Sequence, residues 1–446
     1  MKLLYINTYI PYPLNSGGSQ AFFTITDYIR KHHELSLLLY VHNSTERRNV
    51  EKLRKLWPDV TFYTYEKTAA DEDSSLADFS GMSWRDKTLC RMLNYFHASF
   101  GRKINRRRHK SMTKRCFADT DESAISKPDF VRDHAMLFMK TDDLTPGFCN
   151  YVKSIAANGF DVIQVEFYDY LPLVYFLPKE TKKVFVHHEI RFVRNEIEYQ
   201  LFERPVSTDL LLLKKDKAAE LGALAEYDAV VTLTETDKAI LSEYLPADKV
   251  FASPAITQTA AVEHKSFKPA TELAFIGSGS HFPNADGVVW FCKEVVPVLR
   301  KMNQELPVVN ITGSWKSVMK EGLKKACPTV NFVGYVDDLP SFLNGKISIV
   351  PIRIGSGMRM KILDSVFAAA PLVTTSKGCE GLPMENDKNC LIADTATDFA
   401  KAVSVLLADH ERQRVLAHNA QEVDTGMLDE TDLFRRRMAV YESIVR

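Results

Sequence analysis

The sequence predicts an α/β protein made of two doubly wound parallel-sheet domains that face each other across a cleft, the first carrying a helical insertion. Three observations predict it. Short apolar runs alternate with helical stretches in two successive series, and strands alternating with helices form parallel sheets covered on both faces. Ser253-Pro254 and a polar segment at 263–269 part the two series as an interdomain linker. With 446 residues, the chain is long enough for two or three domains with ample core.

A short buried strand at 3–6 opens the first series. A turn-rich loop, Pro11-Tyr-Pro-Leu-Asn-Ser-Gly-Gly18, leads into a helix over about 19–31. In a parallel sheet, ligands bind at the carboxyl ends of the strands, so Gly17 and Gly18 are placed where backbone approaches a ligand. Strands follow at 35–41 and 60–65. From about 66 to 145 the rhythm breaks, opening on the acidic Asp71-Glu-Asp73 and passing through the basic run 102–110, Arg-Lys-Ile-Asn-Arg-Arg-Arg-His-Lys. With helical spacing and few apolar anchors beyond Phe96, Phe100 and Ile104, this reads as a helical insertion. Its basic run is a solvated face or a patch that docks on anionic lipid headgroups or an anionic acceptor.

Alternation resumes with strands at 161–166 and 183–189, a long amphipathic helix at about 207–226 and a strand at 228–234. The second series has strands at 273–277, 307–312, 330–333, 347–352 and 372–375. A final helix, about 430–446, has no strand after it and is expected to pack back on the first domain. The expected domains are therefore 1–262 (insertion about 66–145), 263–425, and the helical tail 426–446.

Charge and cysteine usage narrow the function classes. Lys and Arg number 57 and Asp and Glu 57, so no global field favours nucleic acid. The seven cysteines (90, 116, 149, 292, 327, 379 and 390) stand singly, the pattern of reduced thiols rather than of disulfides or zinc. The opening Met1-Lys-Leu-Leu-Tyr-Ile-Asn7 turns polar too soon for a signal peptide, and no apolar run reaches membrane-span length. A soluble cytoplasmic protein is expected, touching at most the inner face of a membrane through 102–110.

The most informative stretch is 351–364, Pro-Ile-Arg-Ile-Gly-Ser-Gly-Met-Arg-Met-Lys-Ile-Leu-Asp. An apolar strand ends in a loop with Gly355, Ser356 and Gly357, and Arg359 and Lys361 follow at the start of a helix. Glycines admit close backbone approach, a helix N-terminus offers free N–H groups, and two cations complete a seat for a phosphate or diphosphate. One βα unit later comes a second glycine-rich turn, Ser376-Lys-Gly-Cys-Glu-Gly381. Neither Gly277-Ser-Gly279-Ser-His-Phe282 nor Gly355-Ser-Gly357-Met-Arg-Met360 supplies the third glycine of a dinucleotide fingerprint, which disfavours a nicotinamide dehydrogenase. No Walker loop and no H-E-x-x-H occurs, and no metal site is expected.

Together these motifs resemble GT-B glycosyltransferases of the retaining family 4, the glycosyltransferases group 1 type. The likeness is carried by Gly277 through Pro283-Asn284, Gly334-Tyr-Val-Asp-Asp338, 351–364 and 376–382. It covers about 265–410 well; the first half matches more loosely, through Gly17-Gly18 and the His187-His188-Glu189 strand end. The resemblance implies two Rossmann-like domains and a metal-independent, retaining hexosyltransferase without cofactor. Its donor would be a nucleoside diphosphate sugar, UDP- or GDP-linked, and its acceptor a hydroxyl of a glycan, a lipid-linked saccharide or a protein.

Residue by residue, the resemblance implies that Arg359 and Lys361 hold the donor diphosphate and neutralise the leaving nucleotide. Asp364 takes the second acidic position of the family's E-x7-E pattern and binds ribose, while the first falls on Ser356. Gly277, Asn284, Gly355 and Gly357 complete the donor loop, Val336 frames the base, and Gly378, Glu380 and Gly381 approach the sugar or its phosphate. Gly17 and Gly18 meet the donor phosphates or acceptor. His188, with His187 as the alternative, contacts the donor sugar near the reacting carbon; Glu166 and Glu189 are candidate acceptor contacts. Rival readings are a nucleotide-sugar 2-epimerase of the same fold, a catalytically silent nucleotide-sugar-binding partner of a transferase, and a polybasic membrane adaptor.

Overall fold

A computed structural model describes residues 1–14, 17–67, 71, 143–202, 207–255, 265–302, 305–422 and 430–445. The basic run 102–110 and nearly all of the expected insertion lie outside the described residues.

The first sheet has seven parallel strands in the order β3-β2-β1-β4-β5-β6-β7. They are β1 (Lys2–Asn7), β2 (Glu34–Val41), β3 (Thr61–Glu66), β4 (Val162–Glu166), β5 (Lys182–His187), β6 (Ala229–Thr232) and β7 (Val250–Ala252). The second sheet has six, in the order β10-β9-β8-β11-β12-β13. These are β8 (Glu272–Phe275), β9 (Val309–Thr312), β10 (Val330–Gly334), β11 (Lys346–Val350), β12 (Leu372–Thr374) and β13 (Leu391–Ile392). Strand order reverses between β1 and β4 and between β8 and β11, and such switch points open crevices at the strand ends.

Strand burial explains why unbroken apolar runs marked these sheets. Leu3, Leu4, Tyr5 and Ile6 of β1 are all fully buried. Leu3 and Tyr5 join one core layer with Leu37 and Leu39, while Leu4 and Ile6 face the opposite layer with Leu38 and Tyr40. A central parallel strand thus needs apolar side chains on both faces. The helix Ser44–Leu56 starts where Asn43 accepts hydrogen bonds from the Thr45 and Glu46 amides. Glu46 reaches back to accept from the His42 amide at 2.7 Å, tying the residue before the cap to the first turn.

The C-terminal helix Glu430–Val445 lies on the first domain, where Leu433, Phe434, Val440 and Tyr441 complete one of its cores. Phe434 stacks on Tyr28 with ring centroids 3.5 Å apart, and the Tyr441 hydroxyl meets the Tyr5 hydroxyl at 2.7 Å and Gln164. Arg437 donates to the Ser253 hydroxyl at 3.2 Å.

Several expected bounds shift for physical reasons. The first helix spans Gly17–Ile29, so both glycines belong to its first turn rather than to the loop. Ser253 is buried and its amide bonds Thr232 O at 2.9 Å, so it extends the sheet instead of opening the linker. The long helix Ser207–Ala225 is not cleanly amphipathic, since Leu210, Leu211 and Leu212 are exposed. The strand expected over 183–189 stops at His187, and Glu189 stands in the loop before the helix Arg191–Leu201.

Candidate active site in the interdomain cleft

The loop after β11 is fixed by backbone geometry. Gly355 (φ 118°) and Gly357 (φ 79°) hold conformations that side-chain-bearing residues rarely adopt. A Cβ on Gly357 would also stand 2.1 Å from the His188 carbonyl oxygen. The close approach these glycines permit is therefore to the first domain, at the end of β5. Ser356 accepts from the Ile190 amide at 2.6 Å, and the Gly357 amide donates to Asp237 Oδ2 at 2.9 Å. Two further glycines pack between domains: a Cβ on Gly381 would meet Thr234, and one on Gly17 would meet Met360. A Cβ on Gly18 would strike the Tyr9 hydroxyl, and one on Gly378 would strike Thr374 Oγ1.

Arg359 precedes the helix Met360–Phe367. Its Nη1 donates to the carbonyls of Ser356 and Gly357, while its Nη2 is buried without a partner. Burial lowers its pKa, opposed by Glu189, Glu380 and Asp237. Lys361 donates from Nζ to Asn284 Oδ1 at 2.6 Å and sits 4.4 Å from the centre of the Phe275 ring. Burial, reinforced by Arg359, pulls the Lys361 ammonium down to about 7, with Asp364 opposing. One turn on, burial pushes the Asp364 carboxyl up to about 7 against the pull of Lys361.

Asn284 joins this cluster through Gly277, whose φ of 150° lets the amide lie against it. The Asn284 Nδ2 donates to Ser278 O at 3.1 Å. Trp315 donates to Gly277 O at 3.0 Å and Thr312 O at 2.9 Å, tying the ends of β8 and β9 together. Val336 is half-buried just past β10, beside the exposed Tyr335. Glu380 pairs with Lys377 at 2.6 Å.

From the first domain, His188 shares its Nε2 proton with Glu166 Oε2 at 2.8 Å and stacks on Phe167 at 3.9 Å. Phe167 has φ 67°, a strained backbone of the kind concentrated at functional sites. A small, partly open hollow lies beside this pair, lined by Phe22, Glu166, His188, Leu233, Ala255 and Arg437. His187 does not serve as the alternative: its ring is buried and bound to Glu220 at 2.7 Å. Glu220 also accepts from the Arg191 and Phe192 amides at 2.9 Å, so this pair braces the helix Arg191–Leu201.

Glu189 is held at 3.1 Å by Arg194 and at 3.8 Å by Arg191. Burial would raise its pKa, but Arg194, Arg191, His281 and Arg359 outweigh it and hold the carboxylate down to about 2. It is an anchored anion rather than a free acceptor contact. Sequence reasoning missed Asp237, Arg191, Arg194 and His281. Desolvation lowers the pKa of the His281 imidazole, with Glu189 opposing, although the residue keeps an exposed surface. Its place after Gly277-Ser-Gly-Ser could have marked it; nothing local marks Asp237. Among the described residues, no cluster of His, Cys, Asp and Glu could hold a metal ion.

Residues 270–409 match the family model described as "Glycosyl transferases group 1". The second domain is thus similar to the glycosyl transferases group 1 family. It contains Gly277, Asn284, the loop from Gly355 to Asp364 and the turn from Gly378 to Gly381. The whole chain has the GT-B fold. A mutant of TarM from S. aureus, in complex with fondaparinux, alpha-GlcNAc-glycerol and UDP, superposes with TM-score 0.64 at 11% identity. That superposition covers 99% of this chain and 100% of the other. Sucrose-phosphate synthase from Thermosynechococcus elongatus gives 0.60 at 13% identity over 100% and 99% of the two chains. Anabaena Alr3699/HepE, in complex with UDP and glucose, gives 0.60 at 10% identity over 99% and 100%. An uncharacterized 44.6 kDa protein in the cps region of Klebsiella pneumoniae is 28% identical over 156 residues. The match spans 33% of this chain and 40% of that protein.

Proposed function

We propose that the chain is a retaining glycosyltransferase that moves a sugar from a nucleoside diphosphate sugar to an acceptor hydroxyl. One observation carries this reading: at a helix N-terminus in the interdomain cleft, Arg359 and Lys361 are half-buried, desolvation lowers the pKa of both, and Arg359 Nη2 is buried without a partner. Cations partly withdrawn from water without a full set of anionic partners fit a site completed by an anionic ligand. As the sugar–phosphate bond breaks, charge grows on the leaving diphosphate. Arg359, Lys361 and the N-terminal turn of the helix Met360–Phe367 would stabilise it. Fixed cations replace the divalent metal that other phosphate chemistry uses, so the reaction needs none. Retention follows from the family likeness, not from any single residue of the site.

Asp364 would accept ribose hydroxyls, and Val336 would border the base. His188, oriented by Glu166, would contact the donor sugar beside the reacting carbon. Solved GT-B structures holding UDP support a UDP-sugar donor. The acceptor is a hydroxyl of a glycan, lipid-linked saccharide or protein. No described helix is long and apolar enough to cross a membrane, and membrane contact, if made, runs through 102–110.

A panel of UDP-, GDP- and ADP-sugars, with chelator in place of metal, tests the reading through nucleotide release. One donor should turn over, with activity unchanged by the chelator and cut about 10²–10³-fold in Lys361→Ala. Stabilisation by a donor with no release from any acceptor extract would instead indicate a silent binding protein.

A further inference from the structure

Ser356 occupies a position where the family's pattern carries an acid, yet its hydroxyl is spent on the other domain. It is buried and accepts the Ile190 amide at 2.6 Å. The next residue repeats the connection: the Gly357 amide donates to Asp237, which is itself held by the Thr234 hydroxyl at 2.8 Å. Between the two bonds, the Gly357 Cα rests on the His188 carbonyl. The segment gripped in this way, His188-Glu189-Ile190, carries the histidine proposed to meet the donor sugar.

We infer that Ser356 is an interdomain latch: a positioning residue that closes the cleft and sets His188 against the donor seat, without itself touching the donor. A small neutral hydroxyl suits the task. A Glu at 356 would bring a third carboxylate towards Asp237 and Glu189, a like-charge repulsion that a neutral hydroxyl avoids. The inference deepens the transferase reading and rests on it for the catalytic consequence, but the latch itself does not.

Amide hydrogen exchange at residues 188–192, measured on the full chain, tests it with Ser356→Ala and Asp237→Ala, one variant in each domain. Each removes one latch bond, and exchange at Ile190 should rise roughly tenfold in both. UDP affinity should stay within about threefold of wild type in Ser356→Ala, because the cations of the diphosphate seat, Arg359 and Lys361, remain in place. With the active donor, kcat should fall about tenfold while KM is unchanged. Unaltered exchange in both variants overturns the latch. A UDP affinity that drops with Ser356→Ala overturns it differently, making Ser356 a donor ligand. The exchange arm needs neither nucleotide nor turnover, so it separates failure of the latch from failure of the transferase reading.

Discussion

Lys361 makes nucleotide binding depend on pH in a direction that can be worked out. Its pKa in the free protein is about 7, so at pH 8 the side chain is mostly neutral. A bound diphosphate favours the charged form and raises that pKa, so binding takes up a proton and weakens as pH climbs above 7. Asp364, also near 7, acts oppositely below neutrality if its carboxylate accepts the ribose. Calorimetry at pH 8 in two buffers of different ionisation enthalpy should therefore show proton uptake on nucleotide binding. Lys361→Ala should abolish it. At this scale the sequence was half legible. Gly355 and Gly357 announced unusual backbone, because little else tolerates positive φ. What they pack against, the His188 carbonyl, is set by residues far away in the chain and leaves no local mark. The same holds for His187, whose burial against Glu220 depends on a residue 33 positions on.

Elements were legible where their signal is local. The apolar runs of β1, β2 and β5 marked central strands, buried on both faces. Two-residue β13 and three-residue β7 escaped notice, because so short a run has no period to detect. The π-helical turn Phe291–Val295, inside the helical stretch that starts at Phe282, was likewise invisible, since its apolar pattern is still helical. Capping is local too, and it gives a control. Asn43→Ala removes the acceptor for two amides of the helix Ser44–Leu56 and should cost about 0.5–2 kcal/mol of stability by denaturant unfolding. Nucleotide affinity should not change, because that helix belongs to the first domain and Arg359, Lys361 and Asp364 belong to the second.

For the whole molecule, the two-series rhythm disclosed two parallel sheets. How the domains meet was not disclosed, since that depends on contacts between residues over a hundred positions apart. The helix Glu430–Val445 shows the same limit: its existence was readable, but its hydroxyl contact with Tyr5 and Gln164 was not. Tyr441→Phe leaves two buried polar groups short of a partner and should lower stability by about 1–3 kcal/mol. Leu433→Ala, a deletion in the same core, should cost about 2–5 kcal/mol. Both losses should appear in the first domain's hydrogen exchange and leave the diphosphate seat intact.

The central claim is that this seat binds a nucleoside diphosphate through Lys361. Equilibrium titration of UDP, GDP and ADP into the wild type and Lys361→Ala, with chelator present, tests it most directly. One diphosphate should bind the wild type, and its affinity should fall at least about tenfold in the variant. Equal affinity in the two proteins, or no binding of any of the three, would contradict the account.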